Sequence, residues 1–244
     1  MESIFSADSV GKSFGSRAIL KSASIWATAG RITALFGRNG CGKSTLLKIG
    51  VGLVRADQGA VHYDGRTYLR PRLSELAARG LFYLPDENLL SRRLTVREQL
   101  RAIQWRFGGT RTAEILERLG IAGRIDQTPR QLSGGERRRA EIAAAWIRAP
   151  RCLLADEPFV GINPIDADVV VTAFRGLAAE GCAIILTGHE VGPLMDVADD
   201  VVWMTAGTTH GLGTPAEASL HEQFRREYLG TGASRPIVCG PNIS

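Results

Sequence analysis

Several broad classes of protein are excluded by what this chain of 244 residues does not contain. No stretch approaches the roughly 18–20 consecutive apolar residues that a membrane-spanning helix needs. The opening Met1-Glu2-Ser3-Ile4-Phe5 has neither a basic segment nor a long apolar core, so no secretory leader is expected. Cysteine is scarce. Cys41, Cys152, Cys182 and Cys239 are scattered without C-x-x-C spacing, which argues against a zinc site or a disulfide framework and fits a reducing cytosol. There is no internal repeat and no low-complexity stretch. Nor is there a basic motif interleaved with aromatics, so no nucleic-acid partner is expected.

What remains is an ordinary composition, 44% hydrophobic and 23% charged. The length suits one large α/β core, or a core with a small subdomain. The net charge of +5 has one address: residues 86–150 carry thirteen arginines against eight acidic residues, and the rest of the chain balances. Two readings stay open for that excess, a surface facing a membrane partner or anionic headgroups, and a set of solvated helix faces.

Gly37-Arg38-Asn39-Gly40-Cys41-Gly42-Lys43-Ser44-Thr45 satisfies the G-x-x-x-x-G-K-[ST] pattern. The apolar run Ile32 to Phe36 precedes it and a helix-forming run, Lys43 to Ile49, follows. Strand, glycine loop and helix together form the context of a true phosphate-binding loop. Glycines let successive N–H groups point at a phosphate, and the helix start adds its positive dipole end. Lys43 would reach the terminal phosphates, and the Ser44 hydroxyl would ligate Mg²⁺.

Along the chain, Ile4 to Phe14 and Ala23 to Thr28 read as strands of an antiparallel edge sheet, and Tyr63-Asp64-Gly65-Arg66 carries a hairpin turn. Leu73 to Ala78 reads as a helix and Leu81 to Leu84 as a buried strand. A capping box, Thr95-x-x-Glu98, then opens a helix with Val96, Leu100, Ile103 and Phe107 at helical spacing. Ile115, Leu116 and Leu119 mark a second helix and Glu136 to Arg148 a third. Three helices with no strand between them predict a helical subdomain over 88–150. The α/β alternation resumes with Cys152 to Ala155, a helix from Ile165 to Ala178, Ala183 to Leu186 and Val201 to Met204, which implies a largely parallel core sheet. The core would comprise 1–87 and 151–229, followed by a frayed Gly-, Ser- and Pro-rich tail over 230–244.

Leu132-Ser133-Gly134-Gly135-Glu136, with a serine and two glycines opening a helix, makes a second anion site. Cys152-Leu153-Leu154-Ala155-Asp156-Glu157 places two acids after an apolar strand. Thr187-Gly188-His189 follows another. Phe14 lies 23 residues before Gly37. These residues, in this order, resemble the ATP-binding cassette (ABC) ATPases over most of the chain. Glu157 to Pro164, together with Glu136 to Arg139, looks most like the ATPase subunits of branched-chain amino-acid importers and of lipopolysaccharide export. The resemblance implies an α/β P-loop NTPase (RecA-like) core with an antiparallel edge sheet and a helical subdomain. It implies ATP as ligand with Mg²⁺ held by Ser44, Asp86 and Asp156, Glu157 as general base, His189 at the γ-phosphate, and Phe14 stacked on adenine. Residues 132–136 would cover the ATP of a second cassette, so two chains would pair head to tail around ATP. A membrane-spanning transporter subunit is the implied partner, docking near Asp86 to Leu94, with Arg92 and Arg93 as contacts. The chain would then be peripheral on the cytoplasmic face of the cell membrane.

Two positions depart from the family pattern. Asp86 stands where many cassettes have Gln, and Asn163 where the D-loop has Asp. A carboxylate only accepts hydrogen bonds when ionised, whereas an amide also donates. The expectation is a working ATPase with an altered rate; one impaired site of a heterodimer is the alternative. A soluble assembly-type ABC ATPase is a further alternative, and a kinase is disfavoured by the 132–136 motif.

Overall fold

The computed structural model describes residues 3–87, 89–108 and 110–230. The tail expected after Gly230, with Cys239, and Asn88 at the expected start of the helical segment, lie outside the described residues.

The chain opens with an antiparallel hairpin, β1 (Ser3–Phe14) and β2 (Arg17–Thr28), closed by the pair Phe14 and Arg17. β3 (Ile32–Phe36) is buried throughout and leads through the glycine loop into α1 (Lys43–Gly50). β4 (Gln58–Tyr63) and β5 (Arg66–Tyr68) form a second hairpin. Its two-residue turn has Asp64 at φ 51° and Gly65 at φ 71°, the left-handed pair that matches strand twist. α2 (Leu73–Ala78) and β6 (Leu81–Leu84) follow.

Next come α3 (Val96–Phe107), α4 (Thr112–Arg118), a 3₁₀ turn (Ala122–Arg124) and α5 (Gly134–Ile147) with no strand between them. Thr95 caps α3 through the expected capping box, and Ser133 caps α5 with Glu136 in the same way. The expected apolar stripe of α3 stops short of its last residue. Phe107 is exposed, with the Arg148 guanidinium 3.9 Å from its ring centroid. The chain then alternates β7 (Cys152–Ala155), α6 (Pro164–Ala179), β8 (Ala183–Gly188), α7 (Val191–Val197), β9 (Asp200–Thr205) and β10 (Thr208–Gly213). It ends in two short helices, α8 (Pro215–Ala218) and α9 (Glu222–Phe224), and a π-turn over Arg225–Leu229.

The ten strands of the described residues join one sheet in the order β5-β4-β1-β2-β10-β9-β3-β8-β7-β6. The β9-β3-β8-β7-β6 portion is parallel, while β1, β2, β4 and β5 pair antiparallel. β10, which the sequence pattern did not indicate, joins the two portions: antiparallel to β9, and parallel to β2 through Thr208 and Ser22.

The period of two along the central strands sorts their side chains onto two faces. Ile32, Ala34 and Phe36 of β3, Leu153 and Ala155 of β7, and Ile184 and Leu186 of β8 face the cluster built with α3 to α7. Leu35, Leu154 and Ile185 face the cluster that holds α1 and the antiparallel strands. Because both faces are covered, these strands read as unbroken apolar runs.

Candidate active site

Parallel strands end on the same edge of a sheet, and in open α/β sheets that edge is where ligands bind. Here the carboxyl ends of β3, β7 and β8 deliver the glycine loop, the Asp156-Glu157 pair and His189 to one place.

The loop between β3 and α1 depends on its glycines for space as well as conformation. Gly42 has φ 115°, and a Cβ there would sit 2.7 Å from Leu20. A Cβ on Gly37 would sit 2.5 Å from the Cys41 sulfur. Burial holds the Cys41 thiol in its neutral form by raising its pKa. Lys43, 4% exposed, is bound on both sides. Its Nζ donates to the Gly37 carbonyl at 2.7 Å and pairs with Glu157 Oε1 at 3.0 Å. A buried ammonium needs such partners.

Asp156 is fully buried and collects three hydroxyls. Ser44 donates to its Oδ1 at 2.9 Å, Thr187 donates to the same oxygen at 2.8 Å, and the Tyr83 hydroxyl lies 3.4 Å from Oδ2. Burial pushes the Asp156 carboxyl up, and the Thr187 and Ser44 hydrogen bonds pull part of the way back. A serine hydroxyl touching a carboxylate beside a phosphate loop is a hard-oxygen pair, the donor chemistry that suits Mg²⁺. Asp86 stands apart from that pair: its carboxylate accepts the Glu87 N–H at 3.1 Å and makes no hydrogen bond to Ser44 or Asp156.

Glu157 sits at φ 47°, a left-handed conformation that is uncommon outside glycine. Its N–H donates to Thr187 Oγ1 at 3.0 Å, which fixes the turn after β7. Its carboxylate spans Lys43 through Oε1 and His189 Nδ1 through Oε2 at 3.1 Å. The other ring nitrogen of His189 lies 3.6 Å from Glu190. The imidazole is thus flanked by two carboxylates.

Phe14, at the end of β1, is 52% exposed and lines a cleft of about 370 Å³ with Arg17, Asn39 and residues of the glycine loop. It is therefore not a core phenylalanine, and the Lys12 ammonium lies 5.3 Å from its ring centroid. A second cleft, of about 410 Å³, runs between Glu157, His189 and Asn39 on one wall and Asp86, Arg137 and Gly134 on the other.

Residues 132–136 start α5 as the sequence reading expects. Ser133 and Gly134 are exposed, and Ser133 makes no hydrogen bond to the phosphate loop of its own chain. A Cβ on Gly135 would lie 1.8 Å from Asp166 Oδ2, so this glycine permits α5 and α6 to touch at their starts. Asn163 caps α6: its Oδ1 accepts the Asp166 N–H at 2.9 Å, and its amide donates to Asp166 Oδ2 at 2.8 Å. An aspartate at 163 would give the cap and lose the second bond, placing two carboxylates together.

Four contributors were not anticipated as site residues. Thr187 bonds both Asp156 and Glu157, and its signal was a lone polar side chain at the end of an apolar run. Tyr83 and Glu190 left no signal beyond adjacency. Arg138 is buried, pairs with buried Glu141 at 3.0 Å, and donates to the carbonyls of Pro85 and Asp86. It thereby ties α5 to the loop after β6.

This fold and site define a P-loop nucleoside triphosphatase. The family model described as ABC transporter matches residues 20–160. The lipopolysaccharide export system ATP-binding protein LptB of Haemophilus influenzae is 37% identical over 93% of this chain and 98% of its own length. That of Escherichia coli is 33% identical over 92% and 96%. A probable ABC transporter ATP-binding protein of Azorhizobium caulinodans is 33% identical over 94% and 84%. A crystal structure of the ADP form of an ATP-binding cassette superposes with a TM-score of 0.82 at 23% identity, covering 94% of this chain and all of that one. The chain belongs to the ABC transporter ATP-binding family. It is an ATP-hydrolysing subunit of a membrane transporter. Among the described residues, no helix is long and apolar enough to cross a membrane.

Proposed function

We propose that this chain hydrolyses Mg²⁺-ATP between two cassettes paired head to tail, on the cytoplasmic face of a membrane whose spanning subunit it drives. The observation that carries this is the contact chain Lys43–Glu157–His189, set beside Ser44–Asp156 at the ends of three parallel strands.

Phe14 receives the adenine, and the glycine-loop amides with Lys43 hold the phosphates. Ser44 and Asp156 would hold Mg²⁺, which would supply charge neutralisation at the phosphate oxygens. Glu157 accepts the proton of the attacking water, and Lys43 at its other oxygen limits its repulsion of the triphosphate. His189 orients that water and contacts the γ-phosphate. Asp86, whose charge is felt at Asp156, would offer Mg²⁺ a further carboxylate oxygen. Ser133 and Gly134, open to solvent at the start of α5, close the ATP site of the second cassette. Asn163, which meets Asp166 through its amide, needs no impaired site to explain it.

Residues 88–150 act as the lever. The groove of about 300 Å³ between them and Phe82 of β6, lined also by Leu89, Leu90, Leu94 and Ile103, suits a short amphipathic helix of the membrane subunit. Relatives named for lipopolysaccharide export at 33–37% identity support a lipid-like cargo moved outward.

The test is a tagged pull-down of the Glu157→Gln form with ATP from detergent-solubilised native membranes. Recovery of a multi-span protein is expected. Recovery of soluble partners alone would overturn the transporter assignment.

A further inference from the structure

Phe14 ends β1 as an exposed apolar ring, so core packing does not fix it. The chain just ahead of it is fixed by other means. Among the described residues the β1–β4 ladder stops at Gly11 opposite Gln58, which leaves Lys12 and Ser13 without a strand on that side. Asp57, the residue before β4, takes the place of one. Its N–H donates to the Gly11 carbonyl at 2.9 Å. Its Oδ1 accepts from the Lys12 ammonium at 2.9 Å, and its Oδ2 accepts the Ser13 N–H at 2.7 Å. One aspartate thus holds three successive residues that lead into Phe14. The Lys12 ammonium and the Ser13 N–H keep its carboxyl below the ordinary carboxylate value.

The register of β1 against β2 shifts on both sides of Lys12, an irregularity of the kind that re-aims side chains. The Lys12 side chain is largely covered, and its ammonium lies over the Phe14 ring at 5.3 Å from the centroid, within cation–π range. The same ring lines the cleft that contains Lys43 and Ser44. A cation over one face leaves the other for a flat aromatic ligand. By drawing π density toward itself, it also lowers the repulsion between the ring and the π cloud of a purine.

We infer that Asp57 and Lys12 are positioning residues for base recognition: they fix the end of β1 and cover one face of Phe14, so that the other face is presented to the base of the nucleotide. This rests on the proposal that Phe14 receives the adenine. Neither residue touches the phosphates. A pair that served stability alone would not distinguish a nucleotide from its bare phosphates.

The test compares the dissociation constants of Mg²⁺-ADP and Mg²⁺-pyrophosphate, measured by calorimetry on the full chain. Pyrophosphate offers the glycine loop its phosphates without a base. The variants are Asp57→Ala, Lys12→Ala, Lys12→Arg, Phe14→Ala and the double variant Lys12→Ala, Phe14→Ala. Asp57→Ala and Lys12→Ala are expected to weaken ADP by about threefold or more and to leave pyrophosphate unchanged, as loss of a cation–π contact or of its anchor requires. Lys12→Arg keeps a cation for both the carboxylate and the ring, and should bind ADP as the unaltered chain does. The double variant should bind ADP no more weakly than Phe14→Ala, because Lys12 acts through that ring. Where Phe14→Ala weakens ADP alone, four results would each overturn the inference and leave Phe14 as the base site. These are ADP binding unchanged in Asp57→Ala or Lys12→Ala, pyrophosphate weakened in step with ADP, Lys12→Arg as weak as Lys12→Ala, and additive losses in the double variant. ADP binding unchanged in Phe14→Ala would overturn that reading of Phe14, and the inference with it.

Discussion

Thr187 illustrates how single side chains set this site. Its hydroxyl gives its proton to Asp156 and takes one from the Glu157 N–H, so one oxygen fixes both acids. Valine has the same shape and neither capacity. Thr187→Val is expected to cost about 1–3 kcal/mol of stability, because it removes one donor from buried Asp156 and leaves the partly buried Glu157 N–H unpaired. It should also slow ATP turnover by about tenfold or more, since small misplacements of reacting groups are expensive. Urea unfolding and phosphate release measure the two effects. Stability unchanged within error would mean that another group takes over the N–H.

Asp156 shows the other side of the same arrangement. Burial pushes its carboxyl up, so the ionised form is held at a cost that the Thr187 and Ser44 hydroxyls, with the Lys48 charge nearby, offset only in part. A cation beside it would relieve that cost, which is why a buried acid at this position reads as functional.

Among the elements, helix starts carry the local chemistry. Thr95 and Glu98 cap α3 reciprocally, with the Thr95 N–H donating to the Glu98 carboxylate at 2.7 Å. That bond holds the Glu98 carboxyl below its ordinary value. A depressed carboxyl contributes stability above its unfolded pKa, near ~4.3, and loses it as pH falls through the lower folded value. The stability lost by the chain on acidification below about pH 4.3 should therefore be smaller in Glu98→Gln, as read from urea midpoints at several pH values. Thr95→Ala should cost about 1 kcal/mol at neutral pH.

α5 and α6 meet through Gly135, where an added Cβ would strike Asp166. Gly135→Ala is expected to destabilise the chain by about 1–3 kcal/mol and to disturb the Arg139–Asp166 pair at 3.1 Å. Gly135→Ala melting at the wild-type temperature would contradict this packing.

The elements differ in how far sequence reveals them. β3, β7 and β8 were legible because both of their faces are covered, leaving unbroken apolar runs between turns. The Asp64-Gly65 turn was legible because only left-handed residues close that hairpin. β10 was not: Thr208 to Gly213 has two glycines and no apolar alternation, and it is a strand because β9 and β2 pair with it. α7 was hidden by Gly192 and Pro193, although proline is tolerated in a first helical turn. Within the site, the motifs gave Lys43, Ser44, Asp156, Glu157 and His189. The reach of Arg138 to the Asp86 loop depends on tertiary contact that no spacing encodes.

Taken as a molecule, the chain is one sheet with two unlike faces, and its phosphate loop lies at the edge where the parallel strands end. Ser133 and Gly134 are exposed at the start of α5, and Gly134 lines one cleft with Asn39 of that loop. The thirteen arginines of residues 86–150 are partly spent inside the chain, as Arg97 with Asp126, Arg124 with Glu136 and Arg138 with Glu141 show. Those three acids are among the eight already counted against the arginines, so the pairs leave the excess of five unchanged. On the function proposed above, the phosphate loop of one chain and Ser133 of another complete each reaction centre.

The most direct measurement is the rate of phosphate release per chain from Mg²⁺-ATP as chain concentration is raised. The rate per chain should climb and then level off as pairs form, and Glu157→Gln should lower the plateau by at least about 100-fold while leaving ATP bound. A rate per chain independent of concentration down to the most dilute sample, or turnover that survives Glu157→Gln, would contradict catalysis by Glu157 in a site shared between two chains.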